Sequence, residues 1–372
     1  MKIKVQQKDL INHITIALKA VSSKTNISYH ELINFKAKGD SLYLYSSDGE
    51  ISIITKLDCR VEEEGNMAIK ANIISNIIRK LPDDIVYIDC TNDKINIKCN
   101  KSNFNIIAFD YYQREENENF RGDHLTLDNM LIKNAVSQTE FATSTDETKL
   151  AFTGIFMECE LNKINIVALD GYRIALKSIK KEYPSSYEGL KAIIPKRSLI
   201  EWQRIIDENS FTDIYKLEND MVFVSDDTIM YTRLIDKNYV DYKSLLVDNS
   251  EIHLLCDRRE IINAIDRASL LSDSGSANLI RVKIVDNEII INSNSQLGDV
   301  REVVKAKKEG KDLEIAFNAN YISEGIRAIQ TDKVSLNFKT DSTPCLVYPE
   351  ENEDNEEYTF LVLPVRLANT KG

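Results

Sequence analysis

The residues best suited to chemistry in this chain are Asp170 and Arg173, a carboxylate and a guanidinium three positions apart across an Asp-Gly turn. Such a pair can hold a phosphate or polarise a reacting group, so an enzyme using Asp170 and Arg173 is one reading of the sequence. A tight turn also braces itself with the same pair. Little else supports catalysis. The sequence has no Ser-His-Asp arrangement, no glycine-rich phosphate loop and no paired-carboxylate motif. His13, His30, His124 and His253 are scattered, and Cys59, Cys90, Cys99, Cys159, Cys256 and Cys345 lie far apart without a CxxC pair. Neither a zinc site nor a disulfide framework is expected from such spacing, and the cysteines read as buried or incidental thiols. No metal, cofactor or catalytic residue is predicted.

The elements around the Asp-Gly turn repeat. Ser46-Ser-Asp-Gly-Glu-Ile-Ser-Ile53 and Ala168-Leu-Asp-Gly-Tyr-Arg-Ile-Ala175 each place an Asp-Gly turn between apolar runs, with Asp170 standing 122 residues after Asp48. Asn292-Ser-Asn-Ser-Gln-Leu-Gly-Asp299 is a weaker third copy. Each reads as a strand, a tight turn and a returning strand. Helical spacing recurs at a similar interval. Leu10, Ile14, Leu18 and Val21 mark a helix over 8–21; Leu131, Ala135 and Val136 mark one over 128–140; Ile261, Ala264, Ile265 and Ala268 mark one over 257–271. A second helix follows in each copy, over 70–80, 196–208 and 319–330. Strands after it alternate, as in Lys94-Ile-Asn-Ile-Lys-Cys99, whose Ile95, Ile97 and Cys99 face one side. The pattern predicts an α+β protein built of three copies of about 124 residues in a chain of 372. The boundaries fall at 1–123, 124–248 and 249–372.

Hydrophobic residues at 43% and charged residues at 28% exclude a disordered chain and leave no run long and apolar enough for a membrane span. The opening Met1-Lys-Ile-Lys-Val lacks the apolar core of a signal peptide, and a cytoplasmic protein is expected. Acidic stretches such as 113–119 and 350–357 read as solvated loops. A net charge of -12 argues against a protein that grips nucleic acid over its whole surface. The six helical spans differ, carrying thirteen basic against ten acidic residues and leaving the rest of the chain at -15. Each of these charges taken singly is what the wet face of an amphipathic helix carries.

Four segments in order along this repeat resemble the β subunit of bacterial DNA polymerase III, the sliding clamp family. They are Phe141-Ala-Thr-Ser-Thr-Asp-Glu-Thr-Lys-Leu-Ala-Phe-Thr-Gly154, the hairpin over 167–175, Phe317-Asn-Ala-Asn-Tyr-Ile322 and Phe360-Leu-Val-Leu-Pro-Val-Arg-Leu367. The resemblance covers essentially the whole chain. It implies three similar clamp domains, each with two helices on antiparallel sheets, closing head to tail with a second copy into a dimeric ring. Twelve helices spaced about 9 Å apart imply a hole of about 25 Å, wide enough for duplex DNA.

The implied function is a non-catalytic processivity factor of DNA replication that slides on double-stranded DNA without reading sequence. Its implied partners are the DNA polymerase III α subunit, the clamp loader, other clamp-motif proteins and a second copy of itself. Matched by position, the partner-peptide pocket comprises Phe152, Leu169, Gly171, Tyr172, Arg173, Ile174, Val240, Leu245, Leu361, Leu363, Pro364, Val365, Arg366 and Leu367. The aliphatic and aromatic members supply surface to desolvate, with Tyr172 and the arginines as a polar rim. Leu169 stands where a smaller polar residue is frequent in the family, and Lys237 and Val240 replace a common glycine and proline. The DNA-facing matches are Lys24, Arg79, Lys80, Lys149, Lys196 and Arg197. The subunit contact implied is Phe104 and Ile106 on an edge strand against Leu270 and Leu271 at a helix end. An accessory clamp serving repair or another replicon is the alternative within the family.

Overall fold

The computed structural model describes residues 1–22, 26–91, 93–112, 122–272 and 278–366. Lys24, Leu367, the acidic stretch 113–119 and the tail from Ala368 lie outside the described residues. Among the described residues six α-helices occur where the apolar spacing places them: α1 (Gln7–Ala17), α2 (Ala71–Lys80), α3 (Asn129–Thr139), α4 (Lys196–Ile205), α5 (Arg258–Ser269) and α6 (Ala319–Arg327). Most end early, because their last turns tighten into 3-10 geometry, as at Leu18–Ala20 after α1. Side-chain oxygens cap three starts: Asp128 accepts from the Met130 N–H at 2.9 Å, Asp257 from the Glu260 N–H at 2.8 Å, and Asn318 from the N–H groups of Asn320 and Tyr321.

The chain forms two compact units, Met1–Ile132 with Arg197–Leu234, and Lys133–Lys196 with Ile235–Gly372. The first holds a five-stranded sheet in the order Arg60–Glu63, Lys2–Gln6, Ile85–Thr91, Lys94–Cys99, Ser102–Ile107. It also holds an eight-stranded sheet, in which Leu125–Asp128, Phe211–Lys216, Asp220–Ser225 and Thr228–Arg233 continue into Ile51–Asp58, Ser41–Ser47, Leu32–Lys38 and Gly65–Lys70. Leu10 and Ile14 of α1 and Ile74 and Ile78 of α2 are buried with Phe35, Leu44, Ile88, Ile95 and Ile97 of both sheets in one core. Ile73 of α2 is exposed.

The second unit carries one twelve-stranded sheet. Lys191–Pro195, Gly154–Glu160, Lys163–Leu169 and Arg173–Lys180 run on into Glu356–Val362, Cys345–Pro349, Lys333–Phe338 and Ile252–Asp257. Gly298–Glu309, Glu288–Ser295, Leu279–Val285 and Leu313–Asn318 complete it.

The units cut across the threefold repeat because successive copies share sheets. The strand after the first copy's Asp-Gly turn, Ile51–Asp58, pairs with Thr228–Arg233, the last strand of the second. The strand after the second copy's turn, Arg173–Lys180, pairs with Glu356–Val362, the last strand of the third. Side chains reinforce the first of these joints, where Thr55 and Thr228 share a hydroxyl hydrogen bond at 3.1 Å and Tyr45 and Ile54 are buried with Val222 and Tyr231.

The third copy's hairpin strand has no such partner. Its residues 306–309 pair with Ile252–Asp257, but its residues 298–305 are paired only with Glu288–Ser295 among the described residues. The last strand of the first copy, Ser102–Ile107, is likewise paired on one edge alone among the described residues.

Gly325 of α6 lies against the ring of the fully buried Phe360, so closely that an added Cβ would stand 2.1 Å from the ring. Overpacking here should outweigh the gain in helix propensity, so Gly325→Ala is expected to lose about 1–2 kcal/mol in denaturant unfolding.

Candidate functional site

The second Asp-Gly hairpin is fixed by Asp170. Its Oδ1 accepts the backbone N–H groups of Tyr172 at 2.8 Å and Arg173 at 3.1 Å, and Gly171 takes φ +99°, where a side chain would be strained. Asp170 Oδ2 accepts from Arg173 Nε at 3.0 Å. The rest of the guanidinium reaches further: Nη1 bonds Glu324 of α6, Nη2 donates to the Phe141 carbonyl at 2.7 Å, and the group lies 4.4 Å from the Tyr321 ring centroid. Arg173 is 7% exposed. It is therefore a buried strut and not part of a polar rim, because every edge of its fork is already engaged. The same bonds account for Asp170 and Arg173 without catalysis.

Beside this turn the C-terminal strand completes the site. Leu361 stands opposite Ile174 in the ladder, the Leu363 N–H donates to the Tyr172 carbonyl at 2.9 Å, and the Val365 N–H donates to the Ala316 carbonyl at 2.8 Å. Pro364, lacking an N–H, falls between these two bonds. Leu169, Ile174 and Leu361 are buried in one apolar cluster with Phe156, Val167, Ile193, Tyr242 and Leu346, and Phe152 packs against it half-buried. Tyr172, Val240, Leu245 and Leu363 stay exposed, Val365 and Pro364 are half-buried, and Arg366 is exposed. The matched residues thus separate into a buried floor and an exposed apolar fringe.

Sequence reasoning missed Phe156, Leu346, Tyr239 and Tyr242. Leu346 lies in an apolar strand whose facing the sequence does not reveal, and the two tyrosines lie in a connector with no periodicity. Tyr239 stacks on Phe156 at 4.5 Å between ring centroids.

The matched basic residues differ in their surroundings. Arg197 pairs with Asp48 at 2.5 Å, and Lys196 with Glu140 at 2.6 Å, so both already have carboxylate partners. A side-chain carbon on Gly171 would lie 3.8 Å from Lys149 Nζ, which places Lys149 over the hairpin turn. Arg79 and Lys80 are exposed in the last turn of α2 and have no ion pair among the described residues. Phe104 is exposed and Ile106 half-buried on the open strand Ser102–Ile107, while Leu270 is exposed and Leu271 half-buried just after α5.

Three family models match the chain in order: the DNA polymerase III beta subunit N-terminal domain over residues 1–117, its central domain over 126–241 and its C-terminal domain over 243–366. The chain belongs to the DNA polymerase III β subunit family. It is 30% identical to the beta sliding clamp of Bacillus subtilis (strain 168) over 380 residues, spanning 98% of this chain and 100% of that protein. It is 31% identical to the beta sliding clamp of Staphylococcus aureus (strain Mu50), spanning 98% and 99%. The crystal structure of the Bacillus subtilis DNA polymerase sliding clamp superposes with a TM-score of 0.93 at 30% identity, covering 99% of this chain and 100% of that one. The three clamp domains and the role of a sliding-clamp processivity factor follow from this membership.

Within this clamp chain the Arg173 strut is a stability element. Arg173→Lys removes the planar fork and leaves the acceptors on Asp170, Glu324 and Phe141 short of donors, with an expected loss of about 2 kcal/mol in urea unfolding.

Proposed function

We propose that the chain closes head to tail with a second copy into a ring around duplex DNA, with domains at 1–123, 124–248 and 249–372. The supporting observation is the count of sheet edges. Within the chain, the strand after a hairpin turn twice takes up the last strand of the next copy, at 51–55 with 228–232 and at 173–179 with 356–362. Among the described residues one hairpin strand, at 298–305, and one last strand, Ser102–Ile107, are left over. Pairing them between two molecules repeats the same joint twice and leaves neither edge open. Phe104 and Ile106 face Ile97 and Ile95 in the ladder, extending a buried apolar row to the open edge. Leu271 lies beside the start of the other edge, 3.9 Å from a Cβ placed on Gly298.

In this reading the ring is a non-catalytic, cytoplasmic, cofactor-free processivity subunit. It tethers the DNA polymerase III α subunit, the clamp loader and other clamp-motif proteins through the floor of Leu169, Ile174 and Leu361 and the fringe of Tyr172, Val240, Leu245 and Leu363. The alternative of an accessory clamp rests only on the departures at Leu169, Lys237 and Val240.

Light scattering should return a dimer of twice 42.5 kDa. Phe104→Asp should reduce it to monomer, and an unchanged dimer would remove these edges from the interface. Loaded clamps should remain on circular DNA and leave linear DNA from its ends. Replacing Arg79 and Lys80 together with alanine should lower the salt dependence of DNA contact by about two charges, more than replacing the already paired Lys196 and Arg197. For the pocket, Leu363→Glu with Val365→Glu should abolish binding of a peptide carrying leucine and phenylalanine side chains, with the dimer mass unchanged.

A further inference from the structure

The connector from Ile235 to Ser250 carries Val240 and Leu245, two of the exposed apolar side chains at the fringe, yet its one regular element is the short 3-10 turn Lys243–Leu245. A segment outside the sheet holds a side chain in place only as well as its anchors do. Two anchors are apolar. Tyr239 stacks on Phe156 and meets Phe152 edge-on at 5.9 Å, and Tyr242 is buried among Leu169, Ile174 and Leu361.

Burying Tyr242 brings its hydroxyl into the interior, where it needs an acceptor. Glu158, on the strand Gly154–Glu160 and only 4% exposed, provides one: its Oε2 accepts from the Tyr242 hydroxyl at 2.7 Å. The same oxygen lies 2.9 Å from Lys243 Nζ, and Lys191 Nζ stands 3.5 Å from Oε1. Lys243 also bonds Glu160. Burial alone would raise the Glu158 pKa, but the donors Tyr242 and Lys243 outweigh it and hold the carboxyl below its ordinary value. A carboxylate buried this deeply is tolerated because it is paired, and both residues it clasps belong to the connector.

We propose that Glu158 is a positioning residue for partner binding, whose carboxylate clasps Tyr242 and Lys243 and so holds Val240 and Leu245 in the geometry that a partner's apolar side chain meets. The inference rests on the pocket reading above. Glu158 touches no partner itself; it acts through the connector, and its loss leaves the floor of Leu169, Ile174 and Leu361 in place.

The test is a peptide titration by fluorescence anisotropy on the full-length dimer, using the leucine- and phenylalanine-bearing peptide. Glu158→Gln and Tyr242→Phe should each weaken binding about tenfold, and the double variant should be no weaker than the worse single, since both remove one clasp. Lys243→Ala should weaken binding and Lys243→Arg should restore it, a rescue that general loss of stability would not produce. The dimer mass should not change in any of them. If Glu158→Gln fails to fold, the Lys243 pair carries the test, because that side chain is largely at the surface. Wild-type affinity in the Glu158 and Tyr242 variants, strictly additive losses, or equal affinity of the two Lys243 variants would overturn the clasp while Leu363→Glu with Val365→Glu still abolishes binding. If that last variant also binds normally, the pocket reading fails and the clasp falls with it.

Discussion

An unpaired sheet edge is a row of backbone donors and acceptors that water satisfies less well than another strand does, and the architecture of this chain follows from how those edges are matched. Each copy of the repeat ends on a strand that its own sheets leave open on one side. The hairpin strand of the preceding copy takes it up, at Ile51–Asp58 with Thr228–Arg233 and at Arg173–Lys180 with Glu356–Val362. Three copies in a line necessarily leave one hairpin strand and one last strand over. The chain is thus a segment of a pattern that a second molecule can continue.

The same joints place the proposed partner surface. Where Arg173–Lys180 meets Glu356–Val362, the turn at Asp170 and the exit of the C-terminal strand come side by side, and Leu169, Ile174 and Leu361 form a common floor. The first joint has no matching assignment. Its turn is held by Arg197 on Asp48, whereas at the second the hairpin's own Arg173 reaches Glu324. In both, a charge that looks chemically available in the sequence is spent on fixing a turn. An acidic carboxylate beside an arginine is reactive only when one of them faces a ligand, and these face protein.

Charge follows the same logic. The helical spans carry a small basic surplus in an acidic chain, but Lys19, Lys70, Lys196, Arg197, Arg204, Arg267 and Arg327 already have carboxylates within ion-pair distance. Partial neutralisation suits loose contact with a sliding duplex, since full exposure of every cation would bind phosphate more tightly and raise the salt dependence.

The sequence by itself determined the repeat, the six helices, the hairpins and the family. These depend on local periodicity and turn chemistry: Ile95, Ile97 and Cys99 are buried as their alternation requires, and Asp170-Gly171 makes the turn its residue types favour. It also singled out Leu169, Ile174 and Leu361, three of the eight residues buried in the apolar cluster beside the second turn. Only the tertiary structure decided that Arg173 is a strut, that Arg197 is paired, and that Tyr239, Tyr242 and Glu158 support the connector. The physical reason is distance along the chain. Arg173 meets Glu324 across 151 residues and Tyr242 meets Glu158 across 84, and no local pattern records which partner a side chain finds when sheets from different copies join.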